Sequence, residues 1–181
     1  MGKIVSQFFI SLDGVVEAPN EWHFPYFNEE MGQAIEASTV SNKAFLMGRV
    51  LYDEWAAYWP KQSDEVPFAA FINNVAKYVV SSTLTAATWN DTSVISGDVA
   101  GGIRELKERT AGDIGMSGSA TLVRWLLAND LLDELHLMMH PIVVGRGQRL
   151  FEDTPRHPLQ LLSHETFQTG VLNLKYAPAN G

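Results

Sequence analysis

The chain has no cysteine. That absence excludes a disulfide framework, a thiolate zinc site, an iron–sulfur cluster and a cysteine nucleophile. Basic residues are also scarce. Lys and Arg number 13 against 21 Asp and Glu, which gives a formal net charge of −8. With no basic surplus to neutralise phosphates, a general nucleic-acid binder is excluded. No apolar run approaches the ~20 residues that a membrane-spanning helix needs. The longest, from Leu135 to Val144, is broken by His136, His140 and Pro141. The N-terminus carries Lys3 and then an alternating run in place of a signal-peptide core, so a cytoplasmic protein with no membrane partner is expected. Hydrolase signatures are missing too: there is no Gly-x-Ser-x-Gly elbow and no acid, histidine and serine set for a triad. His136 and His140 are four apart on a predicted strand, where that spacing is ~13 Å, so no metal site is expected.

What is present reads as one domain over residues 1–181, because a hydrophobic share of 46% with 10% aromatic residues is ordinary for a globular chain of this length. Lys3 to Ile10 is a predicted strand. The aromatic-rich stretch from Asp13 to Phe27 is a long loop, the kind of connection that in a compact domain usually carries function. Asn28 to Asn42 is a predicted helix, with Asn28 as its cap and Glu29 and Glu30 in the first turn. Short strands follow at Ala44–Met47, Lys77–Ser81, Val94–Ser96, Asp113–Met116 and Glu134–Met139. Helical stretches begin at Gly48–Arg49, around Ile103 and at Leu122. Thr169-Gly170 is a hairpin turn between Leu159–Gln168 and Val171–Tyr176. Strands alternating with helices imply an α/β fold with a mostly parallel sheet, helices on both faces and an antiparallel edge.

Three segments have the chemistry to hold phosphates. Met47-Gly48-Arg49 ends a strand and opens a helix, whose free amides and dipole favour an anion, and arginine adds a bidentate contact. The bland reading is a turn glycine and a solvated charge. Met116-Ser117-Gly118-Ser119-Ala120-Thr121 is a second strand, small-residue turn and helix start; it lacks the third glycine of the dinucleotide fingerprint, and helix packing alone would also explain it. Ser81, Ser82 and Thr83 close a third strand, as phosphate-binding or as turn-capping hydroxyls. All three lie at carboxyl ends of a parallel sheet, the edge where such sheets bind ligands.

Ser11-Leu12-Asp13-Gly14, Met47-Gly48-Arg49 with Tyr52, Val80–Leu84, Gly115–Thr121 and Leu135–Gly147 with Arg149-Leu150-Phe151 occur in this order. On these motifs the chain resembles the dihydrofolate reductase superfamily, and more closely the C-terminal reductase domain of the bifunctional riboflavin-biosynthesis deaminase/reductase and its stand-alone relatives. The resemblance implies a three-layer, dihydrofolate-reductase-like fold, a homodimer, and NADPH-dependent hydride transfer to a small heterocyclic or ribosyl substrate, as in 5-amino-6-(5-phosphoribosylamino)uracil reductase. It implies phosphate contacts at Gly48 and Arg49, a 2′-phosphate stretch at Ser81, Ser82 and Thr83, and a pyrophosphate turn at Ser117–Thr121 with a cis Ser117–Gly118 peptide. Val15 and Val16 would cover the nicotinamide. In the loop, Asp13 is the expected acid, with Glu17 in reserve, against its plain reading as half of an Asp-Gly turn; Trp22 and Phe27 either stack on a planar substrate or pack under the loop. The chain departs from the pattern at Leu51, where folate reductases carry a threonine, and in having no arginine near Ser82. It also has no carboxylate at Gly32, and no zinc deaminase motif. These departures leave a second reading, a non-catalytic NADP(H)-binding module of the same fold.

Overall fold

The computed structural model describes residues 1–179. The eight strands are β1 (Ile4–Ser11), β2 (Asn42–Gly48), β3 (Ala76–Val80), β4 (Thr92–Ile95), β5 (Asp113–Ser117), β6 (Glu134–His140), β7 (Leu159–Thr166) and β8 (Leu172–Pro178). The helices are α1 (Glu29–Ser41), α2 (Arg49–Tyr58), α3 (Pro67–Asn74), α4 (Val99–Arg109) and α5 (Ala120–Ala128). None is long and apolar enough to cross a membrane. The strands form one sheet in the order β4-β3-β2-β5-β1-β6-β8-β7. The first six are parallel; β6, β8 and β7 pair antiparallel, as the Thr169-Gly170 turn predicts. Gly170 takes φ +85° there, and Phe167 and Val171 close the turn.

Local chemistry sets several element ends. The Asn28 side chain accepts from the Met31 amide at 3.0 Å and starts α1. The Asp98 carboxylate does the same for α4 through the Gly101 amide. Along β1, Ile4, Ser6, Phe8 and Ile10 are buried in strict alternation. One departure from the sequence reading is α3, which falls in a stretch where no helix is predicted. Phe68, Phe71 and Ile72 share its two turns with Ala69 and Ala70, so no polar face marks a period.

The order of crossovers positions the site. Connections from β1 to β2 and from β2 to β3 run toward one edge; those from β4 to β5 and from β5 to β6 run toward the other. Right-handed crossovers therefore place α1, α2 and α3 on one face and α4 and α5 on the opposite face. The cores agree. Ile103 and Leu106 of α4 and Val123 and Leu126 of α5 pack on Ile4, Phe8 and Leu46. Tyr52 and Ile72 pack on Phe45, Met47 and Val79 from the other side, and Met31 of α1 packs on Met138 and Phe167. The chain reverses direction between β2 and β5, which is the topological switch point of this sheet.

Candidate functional site: a crevice between β2 and β5

The pairing of β2 with β5 ends at Phe45 opposite Gly115. Beyond it β2 stays with β3 as far as Gly48, and β5 stays with β1 as far as Ser117. The two strands part and open a crevice at their carboxyl ends. Helices α2 and α5 begin on its two sides, and neither receives a side-chain cap from its own N-cap residue, Gly48 or Ser119. The Ser119 hydroxyl instead accepts from the Gly48 amide at 2.9 Å, which ties the two helix starts together. The first-turn amides of both helices thus lie at the same carboxyl edge of the sheet, an arrangement suited to an anion.

The turn into α5 is made by successive left-handed residues, Gly118 at φ +67° and Ser119 at φ +57°. The described residues contain no cis peptide bond, which corrects the expected cis Ser117–Gly118 linkage. The positive φ pair reverses the chain without it. A Cβ on Gly118 would meet Leu51 at an ordinary contact distance of 3.4 Å, so it is the positive φ and not crowding that asks for glycine here. Leu51 roofs the turn where folate reductases place a hydroxyl.

The other predicted phosphate residues divide into two groups. The side chains of Met47, Met116 and Ala120 are buried in the cores on either face, so these residues offer the crevice their backbone only. Arg49 lies at the mouth with its Nε 2.8 Å from both carboxylate oxygens of Asp53, one helical turn on. Thr121 is exposed in the first turn of α5, and Ser117 is half-buried at the end of β5. At the end of β3 the Ser81 hydroxyl is occupied, accepting from the amides of Leu84 at 3.0 Å and Thr83 at 3.2 Å. Ser82 and Thr83 are exposed.

The loop after β1 differs more from its predicted role. The Asp13 carboxylate accepts from the Ser11 hydroxyl at 2.6 Å and from the amides of Val144 at 3.0 Å and Gly145 at 2.8 Å. These donors, Ser11 first, hold its pKa down at about 2. Asp13 is therefore a permanently ionised staple between two loops and cannot donate a proton near neutrality, which corrects its reading as the acid. The Glu17 carboxylate accepts from the Gln148 amide at 2.6 Å, a second tie between the same two loops. Val15 bridges to Arg149, and the Val16 amide donates to the Gln148 carbonyl at 2.9 Å. Segments 13–17 and 144–150 thus form one two-stranded flap.

Trp22 is buried under this flap, with its indole N–H on the Glu17 carbonyl at 3.1 Å. It packs edge-on against His140, the packing alternative of the two readings, and is not free to stack on a ligand. Phe27 is half exposed beside Gly32 and His23. Sequence reasoning left His23 and His140 in unrelated segments, and no spacing rule would have joined them. The fold brings their ring centroids to 6.0 Å. The rings of Phe9, Trp22, His23 and Tyr26 all stand within 10° of perpendicular to His140, and His23 stacks flat on Phe9 at 4.5 Å. Burial pushes the pKa of both histidines down. His136 is apart from them, on Glu134 at 2.9 Å. Among the described residues no three His, Asp or Glu side chains are grouped to hold a metal.

A parallel α/β sheet with an anion-suited crevice at its switch point, closed by an antiparallel edge, defines the dihydrofolate-reductase-like class. Residues 2–173 match the RibD C-terminal domain family, and the chain belongs to it. YyaP of Bacillus subtilis (strain 168), described as uncharacterised, is 29% identical over 179 residues, covering 96% of this chain and 94% of that protein. The crystal structure of a riboflavin biosynthesis protein (so described, provisionally) from Shewanella sp. PV-4 superposes with a TM-score of 0.80 at 18% identity, over 98% and 99% of the two chains. Dihydrofolate reductase from Enterococcus faecalis, complexed with NADP(H), superposes at 0.69 and 13% identity over 99% and 98%. Acinetobacter baumannii RibD superposes at 0.67 and 14% identity over 99% of this chain and 58% of its own.

Proposed function

We propose that this chain is an NADPH-dependent reductase acting on a small heterocyclic or ribosyl substrate of the kind reduced in the RibD family. The observation that carries this reading is the crevice between β2 and β5. There two helix starts without a side-chain cap are joined through Gly48 and Ser119, and Gly118, at φ +67°, turns the chain between β5 and α5. The pyrophosphate fits the amides of α2 and α5 and the turn from Ser117 to Thr121. Arg49 reaches a phosphate by leaving Asp53, and the exposed hydroxyls of Ser82 and Thr83, the latter 3.5 Å from the Ser81 hydroxyl, serve the adenosine end. When bound, NADPH supplies a hydride. The chain's own work is to hold that group along the crevice, to exclude water with the flap of residues 13–17 and 144–150, and to supply a proton.

The protein is further read as a cytoplasmic homodimer with no nucleic-acid or membrane partner. The exposed edge strand β7, with Leu161 and Leu162 open to solvent, supports self-association. The activity is tested by following NADPH oxidation with 5-amino-6-(5-phosphoribosylamino)uracil or dihydrofolate as acceptor. Oxidation with either supports the reductase. NADPH binding without turnover, across these and other pterin and pyrimidine acceptors, would favour the non-catalytic binding module, a reading that the commitment of both Asp13 and Glu17 to backbone amides also supports.

A further inference from the structure

Residues 81–91 join β3 to β4 without regular structure, and Ser82 and Thr83 stand exposed in their first turn. The Ser81 amide donates to the Ile95 carbonyl at 3.1 Å, and the Ser81 hydroxyl folds the turn by accepting from the Thr83 and Leu84 amides. The far end of the loop is bolted down by Trp89, which is buried. Its indole N–H donates to Asn73 Oδ1 at 3.2 Å, and Lys77 Nζ lies 4.8 Å from the centre of its ring. Tyr52 of α2 holds the same loop from beneath. Its phenolic oxygen accepts from the amides of Thr88 at 2.8 Å and Trp89 at 3.2 Å, and Thr88 Oγ1 at 3.5 Å is within reach of the phenol's own proton. One side-chain atom thus satisfies two backbone donors, one of them buried, of a segment that has no ladder or helix to do so. Leu84 and Ala87 pack on the cluster that contains Tyr52 and Trp89, so the hold extends back to the hydroxyl turn.

The first turn of α2 therefore meets both halves of the cofactor cradle. The Gly48 amide donates to Ser119, and Leu51 lies over Gly118, at the turn read as the pyrophosphate site. Tyr52, the next residue, holds the loop read as the adenosine site. The spacing between the two sites is then set by one short helical segment. Tyr52 is itself buried, and its oxygen is taken up by the loop, so it acts on a ligand only through what it positions.

Resting on the reductase reading, we infer that Tyr52 is a positioning residue for the adenosine end of the cofactor, and that through Ser82 and Thr83 it sets the preference for NADPH over NADH. The two nucleotides differ only in the 2′-phosphate. No arginine stands near Ser82 in the sequence to bind that group by charge alone. Recognition by hydroxyls and turn amides depends on where they are held, because hydrogen bonds weaken steeply with distance and angle. Tyr52 supplies that hold.

Two measurements on the full chain test this. Titration calorimetry gives dissociation constants for NADPH, NADH and reduced nicotinamide mononucleotide, which has no adenosine. Tyr52→Phe keeps the ring in its cluster and removes only the oxygen. It is expected to raise the constant for NADPH roughly 10-fold and to leave the other two unchanged. Ser82→Ala combined with Thr83→Val is expected to do the same, and adding Tyr52→Phe to that pair to have no further effect, because Tyr52 acts through those hydroxyls. An unchanged constant for NADPH in Tyr52→Phe, an equal loss for all three nucleotides, or losses that add, overturns the assignment. The second measurement is amide hydrogen exchange in the free protein. In Tyr52→Phe the amides of Thr83, Leu84, Thr88 and Trp89 are expected to lose protection while those of β2 and β3 keep theirs. Unchanged protection at Thr83 and Leu84, or protection lost throughout the sheet, overturns the hold on the loop. If the wild type binds none of the three nucleotides, the reductase reading fails, and the exchange rates still decide whether Tyr52 holds the hydroxyl turn.

Discussion

Asp13 shows how a residue's chemistry is set by what meets it after folding. In the sequence it is half of an Asp-Gly turn beside a plausible active-site loop. In the structure three donors fix it as an anion, with a pKa of about 2. Because the folded value lies below the ordinary 3.8, the staple contributes its full stability above that pH and loses it as pH falls toward 2. Asp13→Asn is expected to lower Tm at neutral pH. It should also flatten the acid limb of the stability curve between those two values, as followed by circular dichroism. An unchanged acid limb would show that other carboxylates set it.

Among the elements, those with their own local signals were legible in advance. Asn28 starts α1, Gly48–Arg49 opens α2, and Thr169-Gly170 turns the last hairpin; each signal is complete within a few residues. Asn28→Ala is expected to cost about 1 kcal/mol by denaturant unfolding, since the Met31 amide loses its acceptor. A change below a few tenths would mean that α1 is held by packing alone. The unread element, α3, is short and apolar from Pro67 to Ile72, so neither length nor period separates it from a buried strand. The three phosphate-suited segments were also legible, because helix starts at strand ends are local. Their division into backbone contributors such as Met47 and side-chain contributors such as Arg49 was not, because it depends on which face of the sheet each packs against. The flap and the histidine pair were hidden for a related reason. Asp13 meets Val144 across 131 residues, and no pattern in the chain records that encounter.

At the scale of the whole molecule, the antiparallel end of the sheet leaves an exposed strand. Strand β7 presents Leu161 and Leu162 at 46% and 48% exposure on an unpaired edge. A homodimer built on this edge is expected to sediment as one species of twice the chain mass, and Leu162→Lys to release monomers with Tm nearly unchanged. A monomer at all concentrations would remove the edge as an interface. The larger organising feature is the switch point, where opposed crossovers leave a crevice between β2 and β5 with two helix starts at its edge. The most direct measurement on this account is the melting temperature of the purified protein against NADPH concentration. At about 100 times the dissociation constant, binding should add roughly 2.7 kcal/mol, a rise of roughly 5–10 °C for a chain of this size. Arg49→Ala should need roughly 10-fold or more NADPH for the same rise. A melting temperature that does not respond to NADPH would contradict the cofactor crevice and leave the fold without its proposed function.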